Sequence, residues 1–414
     1  TKHQIIYDTV EELVAKKEPV DVLTVSAALR ARKEFDQIGG AQYLSDLLGL
    51  VGSAANIKYY AHIIRKKELL RRLIEASNNI AEVSYDESDP LETILESAEK
   101  QIYEITTKGG SSDRLIAFHE MIEETWTRIE KLSENTGELR GVPSGFKDLD
   151  NKLSGFQKSD LIILAARPSV GKTSLALDFA RNAAVKSGIP VAIFSLEMSK
   201  EQLVDRMLSA QSQVDGWKLR TSRLSLDEEF ARLQQGMHEL MKAPIYVDDK
   251  AANSILNMRS TLRRLNSDKP IGLIIVDYLQ LMGTAKSYDN MVNQVTEISR
   301  SLKALAKEFN APVIALSQLS RAVESRGGRP RLSDLRDSGS IEQDADVVMF
   351  IHREDKYGEN SEKKNIVEIL IEKHRNGPTG IVELFFDDKK TSFLSVEKSE
   401  FGDFSLPTVS VPEF

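Results

Sequence analysis

Residues Leu161–Asp178 read LIILAARPSVGKTSLALD, and this stretch decides the fold. Leu161–Ala166 is apolar throughout and predicts a buried strand. A turn with Pro168 and Gly171 follows, and Lys172-Thr173 opens a helical pattern through Leu175, Ala176, Phe179 and Ala180. A strand, a tight loop and a helix with Gly-Lys-Thr at the junction are the setting of a phosphate-binding loop. Backbone N–H groups at a helix start lack intrahelical acceptors and converge on one spot, so an anion placed there is stabilised. The expected cradle is Ala166, Arg167, Pro168, Ser169, Val170, Gly171 and Ser174, with Lys172 reaching the β- and γ-phosphates. Thr173 offers its hydroxyl to Mg²⁺. Ala166 departs from the general pattern, which has glycine there. A nucleoside triphosphate such as ATP, with Mg²⁺, is the expected ligand.

The chain has 414 residues, enough for two or more domains. With 41% apolar and 29% charged residues it has the composition of a globular protein, and no apolar run reaches the length of a membrane span. Cysteine is absent, which excludes a disulfide framework, a thiolate nucleophile and a Cys-based zinc site. The six histidines show no metal-ligand spacing, and no secretory signal is visible, so a cytoplasmic location is expected. The net charge of −8 gives no overall attraction to nucleic acid, but the placement of Lys and Arg decides that question, not their sum.

Residues 1–107 predict a helical domain, with helices over Val22–Ala31, Gly40–Leu50, Ala55–Val83 and Leu91–Thr106. Its opening pattern (Ile5, Ile6, Val10, Leu13) starts partway through an amphipathic repeat, so an incomplete first domain is expected. KGGSSD, Lys108–Asp113, predicts a flexible linker, and Leu115–Leu132 one more amphipathic helix, placing a linker region over 108–140. From Gly141 the pattern changes. Strand-like runs at Leu161–Ala166, Val191–Leu196, Ile245–Val247, Ile271–Val276, Val313–Ser317 and Val347–Ile351 alternate with helical segments. That alternation predicts an α/β domain over 141–398, a mostly parallel sheet covered by helices. Ile366–Ile371, Ile381–Phe386 and Phe393–Val396 lack intervening helices and predict an antiparallel extension. Residues 399–414 read as a tail.

Asp277 ends the most hydrophobic run, IGLIIVDYLQL, where a carboxylate can hold the Mg²⁺ shell. Glu197 in SLEMS stands at the tip of the next strand, suited to orienting and deprotonating a water. Gln318 in VIALSQLSR ends another strand and carries an amide able to sense a γ-phosphate. KHRNGPTG, Lys373–Gly380, holds Lys373 and Arg375 on a sharp turn, where they can neutralise charge on a transferring phosphoryl group; taken alone, it equally fits a surface turn with solvated cations. The segment Ser320–Ile341 has little periodicity and carries five arginines, Arg329 and Arg331 among them. Arginines among Gly and Ser suit a phosphate backbone, and the lack of interleaved aromatics argues against base stacking.

ARPSVGKT, FSLEMS, VDYLQL, ALSQLSR, DLRDSGSIEQDAD and KHRNGPTG occur in this order with spacings similar to those of bacterial replicative DNA helicases of the DnaB family. PSGFKDLD, the helical first domain and the linker helix extend the resemblance over nearly the whole chain. It implies a RecA-like P-loop ATPase core, C-terminal to an all-α domain, assembled as a homohexamer around single-stranded DNA. ATP then sits between subunits, with Lys172, Thr173, Asp277, Glu197 and Gln318 on one side and Arg375, with Lys373, reaching in from the neighbour. Arg206 resembles a further γ-phosphate contact. Arg336, Asp337 and Gly339 match positions on the DNA backbone, and the tolerance of Ala166 is a family trait. A DnaG-type primase and a helicase loader are the implied protein partners. Two competing readings are a recombinase-like ATPase that forms filaments on DNA and an assembly scaffold gated by ATP.

Overall fold

In the computed structural model, the described residues are 1–50, 57–85, scattered positions between 94 and 130, and 139–396 apart from 222, 225–227, 251–252, 283–290, 321–322, 324–325, 327, 336–338 and 355–363. Most of the expected helices Leu91–Thr106 and Leu115–Leu132, the KGGSSD linker and the tail lie outside the described residues. The chain divides into two compact units, Thr1–Thr125 and Trp126–Phe414.

The first unit contains α1 (Lys2–Ala15), α2 (Val22–Ala31), α3 (Phe35–Ile38), α4 (Gly40–Leu50) and the long α5 (Ile57–Tyr85). Leu13, Val25, Leu29, Ile38 and Leu44 form its small core. Asp21 accepts from the Thr24 N–H at 2.8 Å, which satisfies one of the unpaired donors at the start of α2.

The second unit runs α6 (Lys147–Leu153), β1 (Leu161–Ala166), α7 (Lys172–Arg181), β2 (Val191–Ser195), α8 (Lys200–Ser212), α9 (Gly216–Arg220), α10 (Glu228–Lys242), β3 (Ile245–Asp248), α11 (Ile255–Asp268), β4 (Leu273–Asp277), α12 (Met291–Phe309), β5 (Val313–Gln318), α13 (Gly339–Asp344), β6 (Val347–His352), β7 (Ile366–His374), β8 (Gly380–Asp387) and β9 (Ser392–Ser395). One nine-stranded sheet has the order β3-β2-β4-β5-β1-β6-β7-β8-β9. The first six strands in that order are parallel, and β7 to β9 add on antiparallel, as the sequence predicts.

Residues of β1 alternate between the two faces. Ile162 and Leu164 join Leu175 and Phe179 of α7 in one core, while Leu161, Ile163 and Ala165 join Ile298, Leu302 and Leu305 of α12 in the other. Burial on both faces explains why these strands are continuous apolar runs and not alternating ones. It also leaves only the strand ends for chemistry.

Asp178 fastens α7 to the far edge of the sheet. It is buried, pairs with Arg181 at 2.8 Å, and accepts from Ser392 Oγ at 3.0 Å and from the Phe393 N–H at 2.7 Å. Burial pushes its carboxyl up, and Arg181 pulls it back. Removing one member of a buried pair leaves the other uncompensated. Asp178→Ala is therefore expected to lower the stability of the second unit by roughly 3–5 kcal/mol, read as a fall in its urea midpoint. A midpoint unchanged from wild type would show that the pair carries no such load.

Candidate active site

The phosphate loop connects β1 to α7 beside the ends of β5 and β4. Ser169 (φ 64°) and Gly171 (φ 110°) take the left-handed backbone that turns the chain into the helix. A Cβ on Gly171 would meet the Phe393 ring at 3.0 Å, so both the conformation and the space require glycine. Gly171 is the N-cap of α7 and supplies no side-chain acceptor, so the first-turn N–H groups stay available to an anion.

Lys172, Thr173, Asp277, Glu197 and Arg206 meet here. Thr173 Oγ1 donates to Asp277 Oδ2 at 2.7 Å across 104 residues of sequence. The other oxygen, Asp277 Oδ1, is buried and has no hydrogen-bond partner among the described residues. A hydroxyl next to an unpartnered buried carboxylate oxygen fits the hard-oxygen donor set of Mg²⁺. Lys172 Nζ lies 4.6 Å from the centre of the Tyr278 ring.

Burial pushes the Asp277 carboxyl up, while Lys172 and the Thr173 hydrogen bond pull it down. Burial pulls the Lys172 ammonium below its usual value, with Asp277 and Glu197 opposing. The half-buried Arg206 is shifted down, first by burial and also by Arg220, against Asp277 and Glu197. Two cations and two carboxylates, the exposed Glu197 among them, thus lie within electrostatic reach of one another. A polyanion binding here relieves the strained cations, and a divalent cation relieves Asp277.

Gln318 ends β5 directly opposite Ala166 in the β1 register. Arg167 contributes its backbone to the loop, but its buried guanidinium is turned to the Leu319 carbonyl at 2.8 Å. Tyr278 and Gln280 were not singled out from the sequence, although both stand inside VDYLQL. Gln280 Nε2 donates to Ser317 Oγ at 3.0 Å.

Arg375 and Lys373 lie at the opposite end of the strands, at the close of β7. Val347 faces both Ile162 of β1 and His374 of β7, and the Arg375 N–H donates to the Asp346 carbonyl. Arg375 is thus level with Leu161, five residues or roughly 16 Å below its own phosphate loop. Its exposed guanidinium pairs with Asp346 Oδ1 at 3.1 Å. Lys373 Nζ is engaged within its own chain, donating to the carbonyls of Glu342 and Ala345 at 2.5 and 2.7 Å, where a cation favours the C-terminus of α13.

The Arg-rich segment is stapled at its base. Leu319 bridges Leu335, and the Ser320 N–H donates to the Asp334 carbonyl at 3.0 Å. Arg326 forks onto Asp334 and Arg329 onto Glu368, while Arg331 is exposed. Arg336 and Asp337 lie outside the described residues, and Gly339 is the first residue of α13.

The DnaB-like helicase C terminal domain model matches residues 141–395, and the DnaB-like helicase N terminal domain model matches residues 1–66. A replicative DNA helicase DnaB of Geobacillus stearothermophilus is 46% identical over 407 residues, 98% of this chain and 89% of that protein. This chain belongs to the DnaB-like replicative helicase family. The replicative DNA helicase DnaC of Bacillus subtilis (strain 168) is 45% identical over 410 residues, covering 98% of this chain and 89% of that one. Among solved structures, a DnaB-like replicative helicase described with its interactions with primase aligns with a TM-score of 0.72 at 34% identity, over 96% of this chain and 92% of that one. The ATPase domain of G40P aligns with a TM-score of 0.64 at 40% identity, over 67% of this chain and 99% of that one. As a DnaB-like helicase, the chain is a nucleotide-using enzyme, and the RecA-like core expected from the sequence is the observed one.

The strand ends beside Arg375 also hold a carboxylate pair. Burial, then repulsion from Asp346, pushes Asp160 up to about 6, against Lys303, His374 and Arg140. A group whose folded-state value is raised stabilises the protein below its unfolded value, and that contribution is lost as pH rises from about 3.9 through the folded value. Asp160→Asn is therefore expected to have a higher thermal midpoint than wild type at about pH 7.5, with the gap closing towards about pH 4. A difference that does not vary with pH would contradict this electrostatic origin.

Proposed function

We propose that this chain is one subunit of a hexameric replicative helicase that hydrolyses ATP to move 5′ to 3′ on single-stranded DNA and unwind the duplex at the replication fork. The observation that carries the assembly is the position of Arg375. A cation rooted roughly 16 Å below its own phosphate loop cannot serve that loop, so it serves a neighbour's. Each site is then completed by the next subunit, and hydrolysis depends on ring formation.

In this reading the N–H groups of the phosphate loop and Lys172 bind the β- and γ-phosphates. Thr173 and Asp277 would hold Mg²⁺, which would screen the charge of the phosphates. Glu197 orients the attacking water and accepts its proton, and Gln318 contacts the γ-phosphate from the end of β5. Arg206 adds a second cation on the same side, and Arg375, reaching in from the neighbour, neutralises the charge that develops on the transferred group. Lys373 supports that turn through its bonds to α13. Arg336, Asp337 and Gly339, with Arg329 and Arg331, contact the DNA backbone without reading sequence. The helical collar, residues 1–107, meets a DnaG-type primase, and a helicase loader docks on the ring in the cytoplasm. The solved DnaB-like helicase described with primase supports the first of these.

Glu197→Gln is expected to reduce ATP turnover by at least about a hundredfold while nucleotide still binds. Normal turnover in that variant would leave an ATP-gated scaffold as the better reading. Arg375→Ala and Lys172→Ala should each be inactive alone but recover part of the ATPase when mixed, because a site with intact Lys172 can then borrow an intact Arg375. No recovery at any mixing ratio would sink the shared site.

A further inference from the structure

Leu319, the residue after Gln318, has both polar groups of its backbone held by the phosphate loop. Its N–H donates to the Ala166 carbonyl at 3.1 Å, and its C=O accepts from Arg167 Nη1 at 2.8 Å. Arg167 is only 8% exposed, so this charge-assisted bond is made away from competing water. On the other side of Gln318, Ser317 Oγ accepts from Gln280, three residues beyond Asp277. The backbone of Gln318 is therefore clamped upstream by the segment that carries Asp277 and downstream by the loop that carries Lys172.

The same clamp is the root of the Arg-rich loop. Leu319 bridges Leu335, the Ser320 N–H donates to the Asp334 carbonyl, and the Asp334 carboxylate holds both Arg326 and the Arg331 N–H. Ser320 and the Asp334–Leu335 segment are thus tied to one point, and that point is tied to the phosphate loop. A change in the phosphate loop or Gln318 therefore reaches Ser320, Asp334 and Leu335 through direct backbone contacts. The Arg167 side chain is committed to this tie, while the phosphates are served by backbone N–H groups and Lys172.

We propose that Arg167 and Gln280 are positioning residues that couple the nucleotide site to the DNA-contacting loop, a role that rests on the helicase reading above. Such coupling is reciprocal and is measured as a ratio of affinities. The experiment is to measure the affinity of the assembled full chain for a fluorescent oligothymidylate, with Mg²⁺, without nucleotide and at saturating non-hydrolysable ATP analogue. Saturation keeps a weakened nucleotide site from entering the ratio. Wild type is expected to bind DNA about tenfold more tightly with the analogue. In Arg167→Ala and Gln280→Ala that ratio should fall to within about twofold of unity, and Arg167→Lys, which can still donate to the Leu319 carbonyl, should recover part of it. If Arg167→Ala does not fold, the ratios of Gln280→Ala and Arg167→Lys decide. Wild-type ratios in the folded variants would overturn the inference. A wild-type ratio near one would overturn the motor reading, and this inference with it.

Discussion

The hydrogen bond between Thr173 and Asp277 joins the start of α7 to the end of β4, and the site depends on it. A carboxylate at 2% exposure is held against its own titration preference, because burial favours the protonated form. The fold tolerates this cost because both faces of the sheet are packed with aliphatic side chains, which supply the stability that the strand ends give up. Dry walls also strengthen every interaction a phosphate makes there. A site with this arrangement of buried charges is thus destabilised when empty, and binding of a nucleotide's phosphates restores part of what burial removed.

The sheet also separates two functions by its length. Its C-terminal end carries the phosphate loop, Asp277 and Gln318, and the N-terminal end of its parallel strands carries Asp160, Asp346 and the Arg375 turn. Strands are stiff rulers, so a cation at one end and phosphates at the other stay apart within one chain. Pairing with Asp346 holds the Arg375 side chain near its own sheet until a competing anion is presented. In the proposed assembly, this same rigidity would make a neighbouring subunit the condition for the reaction.

Much of this was legible from residue patterns. β1 begins and ends where its apolar run does, and the remaining strands differ from expectation by at most a few residues at their ends. β4 starts at Leu273, later than the apolar run from Ile271, because the Gly272 and Leu273 N–H groups are drawn to the Pro190 carbonyl. β7 continues past Ile371 to His374, because its polar last residues still pair with β6. The meeting of Lys172, Thr173, Glu197 and Asp277 followed from their placement at strand ends. Side-chain direction did not follow. Arg167 sits in a phosphate loop, and nothing in its local sequence says that its guanidinium turns to a carbonyl 152 residues away. Gln280 likewise hides in a motif whose neighbouring Asp277 attracts attention. Such long-range polar contacts depend on strand order, which the order of elements along the chain does not specify.

Charge counting shows the same limit in the Arg-rich loop. Five arginines in 22 residues suggest a strongly cationic surface, yet Arg326 is forked onto Asp334 and Arg329 onto Glu368. These cations are already neutralised by carboxylates of the same chain, so they shape the loop before they attract anything. A phosphate that takes Arg329 must displace Glu368, and the gain from releasing counterions is offset by the carboxylate left behind. The exposed Arg331 carries no such debt. Among the described residues the loop thus presents two arginines already paired within the chain and one exposed, held at its base by the phosphate loop. That construction suits a contact that must be made and broken in each cycle better than one built for the tightest grip.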